Sequence, residues 1–136
     1  MGIKEAGGNA DRVSQLRAAL PARFTILSGD DALTLPFMAV GADGVVSVAS
    51  NVAPKPVAAL VRKFAAGDPR GALRLHQRLY PLFKDLFLET NPAPVKAALA
   101  ELGLIADELR LPLCPMTSKN RAALVATLKA TGVMKQ

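Results

Sequence analysis

The sequence predicts an α/β fold of three parallel strands joined by helices, followed by a tail of three helices. Up to residue 67, short segments rich in apolar and β-branched residues alternate with helical stripes. The connections between them are only a few residues long, which is typical of parallel strands linked by right-handed crossovers. After Gly67 the alternation stops, and only helical patterns follow.

The composition restricts the class of protein. The chain has 136 residues, of which 51% are hydrophobic and 21% charged, so we expect one globular domain with a substantial core. No apolar run reaches membrane length, and the N-terminus lacks the layout of a signal peptide. A single cysteine, Cys114, cannot form an internal disulfide, which fits a cytoplasmic protein. With the lone His76 and no CxxC motif, the sequence offers no metal-ligand set.

The charge of +6 does not indicate a nucleic-acid partner. Lysine and arginine are spread along the chain at helix-face spacing, beside apolar stripes, and aromatic residues make up only 4%. A nucleic-acid site would instead concentrate the basic residues in one patch with aromatic residues between them. We therefore read the basic residues as solvated helix faces.

Three segments have the composition of strands. The last of them is apolar at nearly every position, as a strand buried on both faces should be. Turn-forming Gly, Asn or Asp residues follow each segment. The predicted strands are residues 1–6, 24–28 and 44–49.

A helical stripe follows each strand, and proline or glycine marks where the helices end. Asp30 or Asp31 is placed to act as the N-cap of the second helix, because a carboxylate there accepts hydrogen bonds from the free amides of the first turn. This interpretation is preferred over an acid–base role. The predicted helices are residues 11–20, 32–40 and 56–66.

The tail begins with a long helix that opens at Asp68 and Pro69 and contains Pro81, where we expect a kink or a break. A second helix covers residues 95–102. After a proline-marked connector, Thr117 or Ser118 caps a last helix that continues to Ala130. The change at Gly67 predicts a subdomain seam between residues 1–67 and 68–136.

The first strand carries the candidate for chemistry, Lys4. In parallel α/β folds the carboxyl ends of the strands meet at one rim, where such folds place their active sites. A desolvated amine there can lose its proton and attack a carbonyl group to form a Schiff base. The alternative is an ordinary solvated lysine, since one lysine is a weak signal. Residues 28–31 and 47–51, which follow the other two strands, belong to the same rim.

Five motifs occur in a characteristic order and spacing. They are GIKEA at residues 2–6, LSGDD at 27–31, GVVSVASN at 44–51, NPAPVK at 91–96 and LRLPL at 109–113. Together they resemble the dihydrodipicolinate synthase (4-hydroxy-tetrahydrodipicolinate synthase) family of the pyruvate-dependent class I aldolase superfamily. The resemblance covers essentially the whole chain.

The resemblance implies a fold and a reaction. The fold would be the C-terminal half of a (β/α)8 barrel, strands six to eight, with a three-helix C-terminal extension, and the family is usually homotetrameric. Lys4 would form a Schiff base with pyruvate, the Val46 backbone carbonyl would contact bound pyruvate, and Gly29 would line the same mouth. The reaction would condense pyruvate with aspartate semialdehyde on the route to lysine and diaminopimelate, with no cofactor beyond the covalent Schiff base. Another pyruvate aldolase of the superfamily is an alternative.

The chain also departs from the family pattern, because it resembles only the second half of the family's sequence. The upstream half would bring the loop that holds the pyruvate carboxylate, a tyrosine pair that relays protons and the arginine that receives the aldehyde. The single tyrosine, Tyr80, matches none of them. We therefore expect these 136 residues alone to oligomerise, aggregate or bind hydrophobic dyes, and to show negligible turnover. A truncated, non-catalytic remnant or a half-barrel that needs a partner chain is the competing interpretation.

Overall fold

A computed structural model of the chain describes residues 1–134 and contains the predicted three-stranded parallel sheet. Its strands are β1 (Gly2–Glu5), β2 (Thr25–Ser28) and β3 (Gly44–Val45), with β2 in the centre. In the last paired row, Ser28 lies between Glu5 and Val45. The carboxyl ends of all three strands therefore lie at the same edge of the sheet.

Six α-helices accompany these strands in the described part of the chain. Three of them alternate with the strands and three follow, which is the predicted order. They are α1 (Ala10–Ala19), α2 (Thr34–Ala39), α3 (Pro54–Ala65), α4 (Pro69–Asp85), α5 (Ala93–Glu101) and α6 (Ser118–Ala130). None of these helices is long and apolar enough to cross a membrane.

The described chain forms two compact units. The strand unit consists of residues 1–47 and 55–76, and the helical unit consists of the other described residues. The subdomain seam near Gly67 stays a prediction from the sequence.

One face of the sheet in the strand unit is covered by helices. Ile26 of β2 is fully buried in a cluster with Val13 and Leu16 of α1 and Phe37 of α2. Successive strand residues point to opposite faces. Leu27 and its partner Lys4 therefore lie on the opposite face from these helices.

Arg17 of α1 joins the loops that lead into β2 and β3. Its guanidinium group donates hydrogen bonds to the carbonyl of Gly41 (2.6 and 3.0 Å), the carbonyl of Phe24 (3.0 Å) and the carboxylate of Asp43 (3.1 Å). The same carboxylate accepts a bond from the amide of Ile26 (2.8 Å). A single side chain thus fixes where both strands begin.

The third strand is shorter than the predicted 44–49. The amide of Val46 still donates to the carbonyl of Ser28 (2.8 Å), but Val48 has helical backbone angles and Ala49–Asn51 forms one 3-10 turn. The side-chain amide of Asn51 donates to the carbonyl of Val48 (2.9 Å) and stabilises this turn. Asn51 therefore forms a turn, as its residue type predicts.

The predicted cap of the second helix was wrong. The helix α2 begins at Thr34, and its N-cap position is occupied by Leu33 without a side-chain bond. Asp30 instead accepts a hydrogen bond from the amide of Ala32 (2.8 Å), and Asp31 accepts one from Ser47. The turn after β2 is longer than predicted, so both carboxyl groups accept hydrogen bonds from residues outside the helix.

The helical unit contains most of α4 together with α5 and α6. Of the two outcomes predicted at Pro81, a break does not occur, because α4 continues through this exposed residue to Asp85, and a kink stays a prediction. The Asp85 carboxylate accepts a bond from Thr127 of α6 (2.5 Å). The start of α6 is held by Glu89, whose carboxylate accepts bonds from the side chain of Asn120 (2.8 Å) and from the amide and hydroxyl of Thr117 (both 2.9 Å). These bonds, led by that from Asn120, hold the pKa of Glu89 below its ordinary value.

Candidate active site

Lys4 lies at the carboxyl edge of the sheet, on the face opposite to α1 and α2. It is the third residue of β1, in register with Leu27, and its side chain is exposed. Within residues 1–134 no carboxylate lies within ion-pair distance of its amine. The Lys4 amine therefore has no carboxylate partner among the described residues.

Gly29 provides the space in which the Lys4 side chain lies. The amide of Gly29 donates to the carbonyl of Glu5 (2.7 Å), which continues the β1–β2 ladder past the last strand residue. A Cβ atom at position 29 would lie 2.9 Å from Cε and 3.2 Å from Cγ of Lys4. It would also lie 2.6 Å from the Cβ of Ala6. The lysine side chain therefore passes over a position that only glycine leaves open.

Val46 lies beside Gly29 at this edge. Ser28 and Val45 are in register, and Gly29 and Val46 are the residues that directly follow them. The amide of Val46 donates to the carbonyl of Ser28 (2.8 Å), and its side chain is 43% exposed. The fold thus brings the three residues chosen from the sequence, Lys4, Gly29 and Val46, to one edge of the sheet, while their roles stay predictions.

Glu5, which directly follows Lys4, has a structural role in the turn after β1. Its side chain is buried, and Oε1 accepts a hydrogen bond from the amide of Gly7 (2.7 Å). Arg12 of α1 lies 3.8 Å from its other oxygen. Glu5 therefore holds the turn between β1 and α1, on the opposite face of the sheet from Lys4.

The sequence reasoning missed a bond at the same edge. Asp31 is 2% exposed, and its carboxyl group accepts a hydrogen bond from the hydroxyl of Ser47. The sequence feature that could have indicated this bond is Ser47, a polar residue in an apolar strand pattern, together with the acidic pair Asp30 and Asp31 that follows the neighbouring strand. These residues lie 16 positions apart, so only the parallel pairing of the strands brings them together.

Neither a metal-ligand cluster nor the cavity of the helical unit adds to the candidate site. No group of three His, Cys, Asp or Glu residues in that part of the chain could hold a metal ion. A cavity of about 400 Å³ lies in the helical unit, lined by residues including Glu89, Thr90 and Cys114. None of Lys4, Gly29 and Val46 lines it.

Comparisons with known proteins agree with the resemblance read from the motifs. The sequence profile of the dihydrodipicolinate synthetase family matches residues 1–131. The chain is 48% identical over 132 residues to the 4-hydroxy-tetrahydrodipicolinate synthase of Moorella thermoacetica. The aligned region covers 97% of this chain and 45% of that protein.

Solved structures give the same result. The 4-hydroxy-tetrahydrodipicolinate synthase of Methylacidiphilum fumariolicum SolV is 64% identical and superposes with a TM-score of 0.95, covering 97% of this chain and 44% of that one. The dihydrodipicolinate synthase of Aquifex aeolicus is 47% identical, with a TM-score of 0.96, and covers all of this chain and 47% of that one. The chain therefore spans about half the length of the relatives it matches.

The similarity confirms the predicted fold class. The three parallel strands with their helices correspond to the C-terminal half of a (β/α)8 barrel, and α4, α5 and α6 correspond to its three-helix C-terminal extension.

Proposed function

The chain belongs to the dihydrodipicolinate synthetase family, and we propose that it carries the Schiff-base lysine of a 4-hydroxy-tetrahydrodipicolinate synthase. Such a lyase would condense pyruvate with aspartate semialdehyde in the synthesis of lysine and diaminopimelate. Lys4 would be the nucleophile, and Gly29 and Val46 would line the pyruvate site.

The observation that carries this proposal is the position of Lys4 over Gly29. A Schiff-base lysine must reach a carbonyl carbon without obstruction and must be held in a limited range of directions. The Cε and Cγ atoms of Lys4 lie where a side chain at position 29 would begin, so the lysine packs against the glycine backbone, while its amine meets no carboxylate of the described residues. An ordinary surface lysine would not need a glycine beneath it.

The chemistry at Lys4 would proceed in three steps. The neutral amine attacks the ketone carbon of pyruvate, and water leaves as the C=N bond forms. The positive charge on the imine nitrogen then allows a proton to leave the pyruvate methyl group, which gives an enamine. The enamine carbon attacks the aldehyde carbon of aspartate semialdehyde, the aldehyde oxygen takes up a proton, and the restored imine then loses Lys4 to water or to the substrate's own amino group. The Val46 carbonyl oxygen, at the same edge, would contact the bound pyruvate.

The proton transfers need groups besides Lys4. General acid–base groups typically contribute a factor of about 10²–10⁴ to the rate. Within residues 1–134 the only tyrosine is Tyr80 of α4, which matches neither tyrosine of the family's proton relay. A synthase built on this site would therefore combine Lys4 with residues matching the other half of the family's barrel.

The remaining features of the proposal follow the family. The reaction would need no cofactor or metal, because the covalent imine itself supplies the electron sink. The assembly would be a homo-oligomer, and the enzyme would work in the cytoplasm, where lysine synthesis takes place. The matches to named synthases do not favour a non-catalytic remnant.

A synthase assay tests the function. The rate at which aspartate semialdehyde disappears in the presence of pyruvate is measured for the chain alone and after mixing with the N-terminal half of the Aquifex aeolicus relative. We expect turnover in the mixture, negligible turnover for the chain alone, and loss of turnover on Lys4→Arg. Turnover that survives Lys4→Arg, or a mixture without turnover, would contradict the proposal.

A further inference from the structure

A buried carboxyl group lies at the carboxyl edge of the sheet and takes no part in the Schiff-base chemistry. Asp31, in the turn between β2 and α2, is 2% exposed. Burial of a carboxyl group is unfavourable unless hydrogen bonds satisfy it. The Ser47 hydroxyl donates one such bond to Oδ1 of Asp31. Two chain segments that follow neighbouring strands are thereby joined through side chains.

The segments that this bond joins also carry two of the candidate site residues. Asp31 lies two residues after Gly29, and Ser47 directly follows Val46. Only two residues of β3 belong to the ladder, and the backbone bond from the Val46 amide to the Ser28 carbonyl extends it by one residue. The bond between Ser47 and Asp31 adds a second link one residue later.

The turn that carries Asp31 is braced independently of Ser47. The Thr34 hydroxyl donates to the carbonyl of Asp31 (2.9 Å), and the Ser28 hydroxyl donates to the carbonyl of Asp30 (2.7 Å). Asp30 in turn accepts a bond from the amide of Ala32 (2.8 Å). Because the turn is fixed by its own bonds, the Asp31 carboxyl group presents a stationary acceptor to the segment after β3.

We propose that Asp31 is a positioning residue of the pyruvate site. Through the Ser47 hydroxyl it fixes the backbone of Val46, and so aims the Val46 carbonyl at pyruvate bound to Lys4. Asp31 acts on pyruvate only through this backbone and does not contact it. The inference rests on the proposed function of Lys4, but the position of the Val46 backbone can be measured without any reaction.

Three variants and one matched control separate this role from general stability. Ser47→Ala removes the donor, Asp31→Asn replaces the carboxylate acceptor by the weaker amide oxygen at constant size, and Ser47→Thr retains the hydroxyl. The control is Asp30→Asn, which alters the adjacent acid but keeps the oxygen that accepts from Ala32. All four are compared with the unchanged chain, well below the midpoint of its thermal unfolding.

The first measurement is hydrogen exchange at the Val46 amide, followed by NMR. Loss of one buried hydrogen bond, or exchange of its charged acceptor for a neutral one, has an effect of about 1.4 kcal/mol, which corresponds to about tenfold faster exchange in Ser47→Ala and Asp31→Asn. We expect Ser47→Thr and Asp30→Asn to leave the exchange rate unchanged. Unchanged exchange in Ser47→Ala and Asp31→Asn, or equal acceleration in the Asp30→Asn control, would overturn the proposal.

The second measurement is the pyruvate concentration that gives half-maximal borohydride trapping on Lys4. We expect this concentration to rise about tenfold in Ser47→Ala and Asp31→Asn, because the same change in hydrogen-bond energy weakens pyruvate binding. The extent of trapping at saturating pyruvate should stay constant, and Ser47→Thr should keep the original half-maximal concentration. A purely structural role would lower the unfolding temperature without this shift, and that result would overturn the proposal.

The two measurements also separate failure of the inference from failure of the proposed function. If the unchanged chain forms no adduct on Lys4, the proposed function fails. Accelerated exchange at Val46 in Ser47→Ala would then still show that Asp31 fixes this backbone, and unchanged exchange would overturn the inference as well.

Discussion

Replacement of Gly29 by alanine tests the close packing on which the Lys4 site depends. The new methyl group would lie 2.6 Å from the Cβ of Ala6 and 2.9 Å from Cε of Lys4, whereas ordinary contact begins at 3.4 Å. The contact with Ala6 involves an atom bonded directly to the backbone, so the end of β1 would have to move. Overpacking of this kind typically costs about 1–3 kcal/mol. We expect Gly29→Ala to lower the free energy of unfolding by that amount and to displace the lysine side chain.

A second substitution separates the two contacts. In the double variant Gly29→Ala with Ala6→Gly, the 2.6 Å contact disappears while the contact with Lys4 remains. We expect this variant to recover part of the lost stability in urea unfolding but to remain poor in pyruvate trapping on Lys4. Recovery of both properties together would mean that the contact between Lys4 and Gly29 has no part in the chemistry.

Gly44→Ala provides the matched control in the neighbouring strand. Its added Cβ would meet Leu27 at 3.5 Å and Val61 at 3.6 Å, which is ordinary van der Waals contact. We expect its stability to change by less than about 1 kcal/mol and its trapping to stay normal. If Gly29→Ala behaved like Gly44→Ala in both assays, the reasoning about position 29 would be refuted.

Three further predictions concern the whole chain. Arg17→Met removes the guanidinium bonds to the loops before β2 and β3, and it should lower the unfolding free energy measured in urea by about 2–4 kcal/mol. Arg17→Lys should recover only a part of this loss. Equal stability of both variants and the unchanged chain would contradict this prediction. Burial lowers the pKa of His76, so its stabilising effect is complete above about pH 6.5, the ordinary pKa of an unfolded histidine, and is lost as the pH falls toward the folded-state pKa. The urea midpoint of the unchanged chain should therefore fall more steeply between about pH 7.5 and about pH 5 than that of His76→Gln, and parallel curves would refute the assignment. The exposed apolar side chains of Ile3 (37%) and Val46 (43%) should make these 136 residues bind a hydrophobic dye or self-associate, whereas a monodisperse monomer without dye binding would contradict that expectation.

The order of elements and the place of Lys4 could be predicted because both follow from local patterns. Apolar runs bounded by Gly, Asn and Asp identify strands, and a helix between successive strands favours parallel pairing. Once the strands are parallel, a lysine near the end of the first one must lie at the carboxyl edge. The end of α1 before Pro21 and the start of α6 at Thr117 were predictable for the same reason, since caps and proline act within a few residues.

The length of β3 and the function of the acidic pair could not be predicted in this way. Val48 is as apolar as its neighbours, yet its helical backbone angles are set by the 3-10 turn that follows. Asp30 and Asp31 carry the same side chain, but one bonds its own turn and the other is buried against Ser47. The contact of Lys4 with Gly29 likewise depends on the register between β1 and β2, which no local pattern encodes.

The most direct test of the account is the identity of the residue that captures pyruvate. The chain is incubated with pyruvate, reduced with borohydride and digested, and the modified peptide is located by mass spectrometry. The account predicts the adduct on Lys4 and its loss in Lys4→Arg. An adduct on another lysine with Lys4 unmodified, or an adduct that persists in Lys4→Arg, would contradict it.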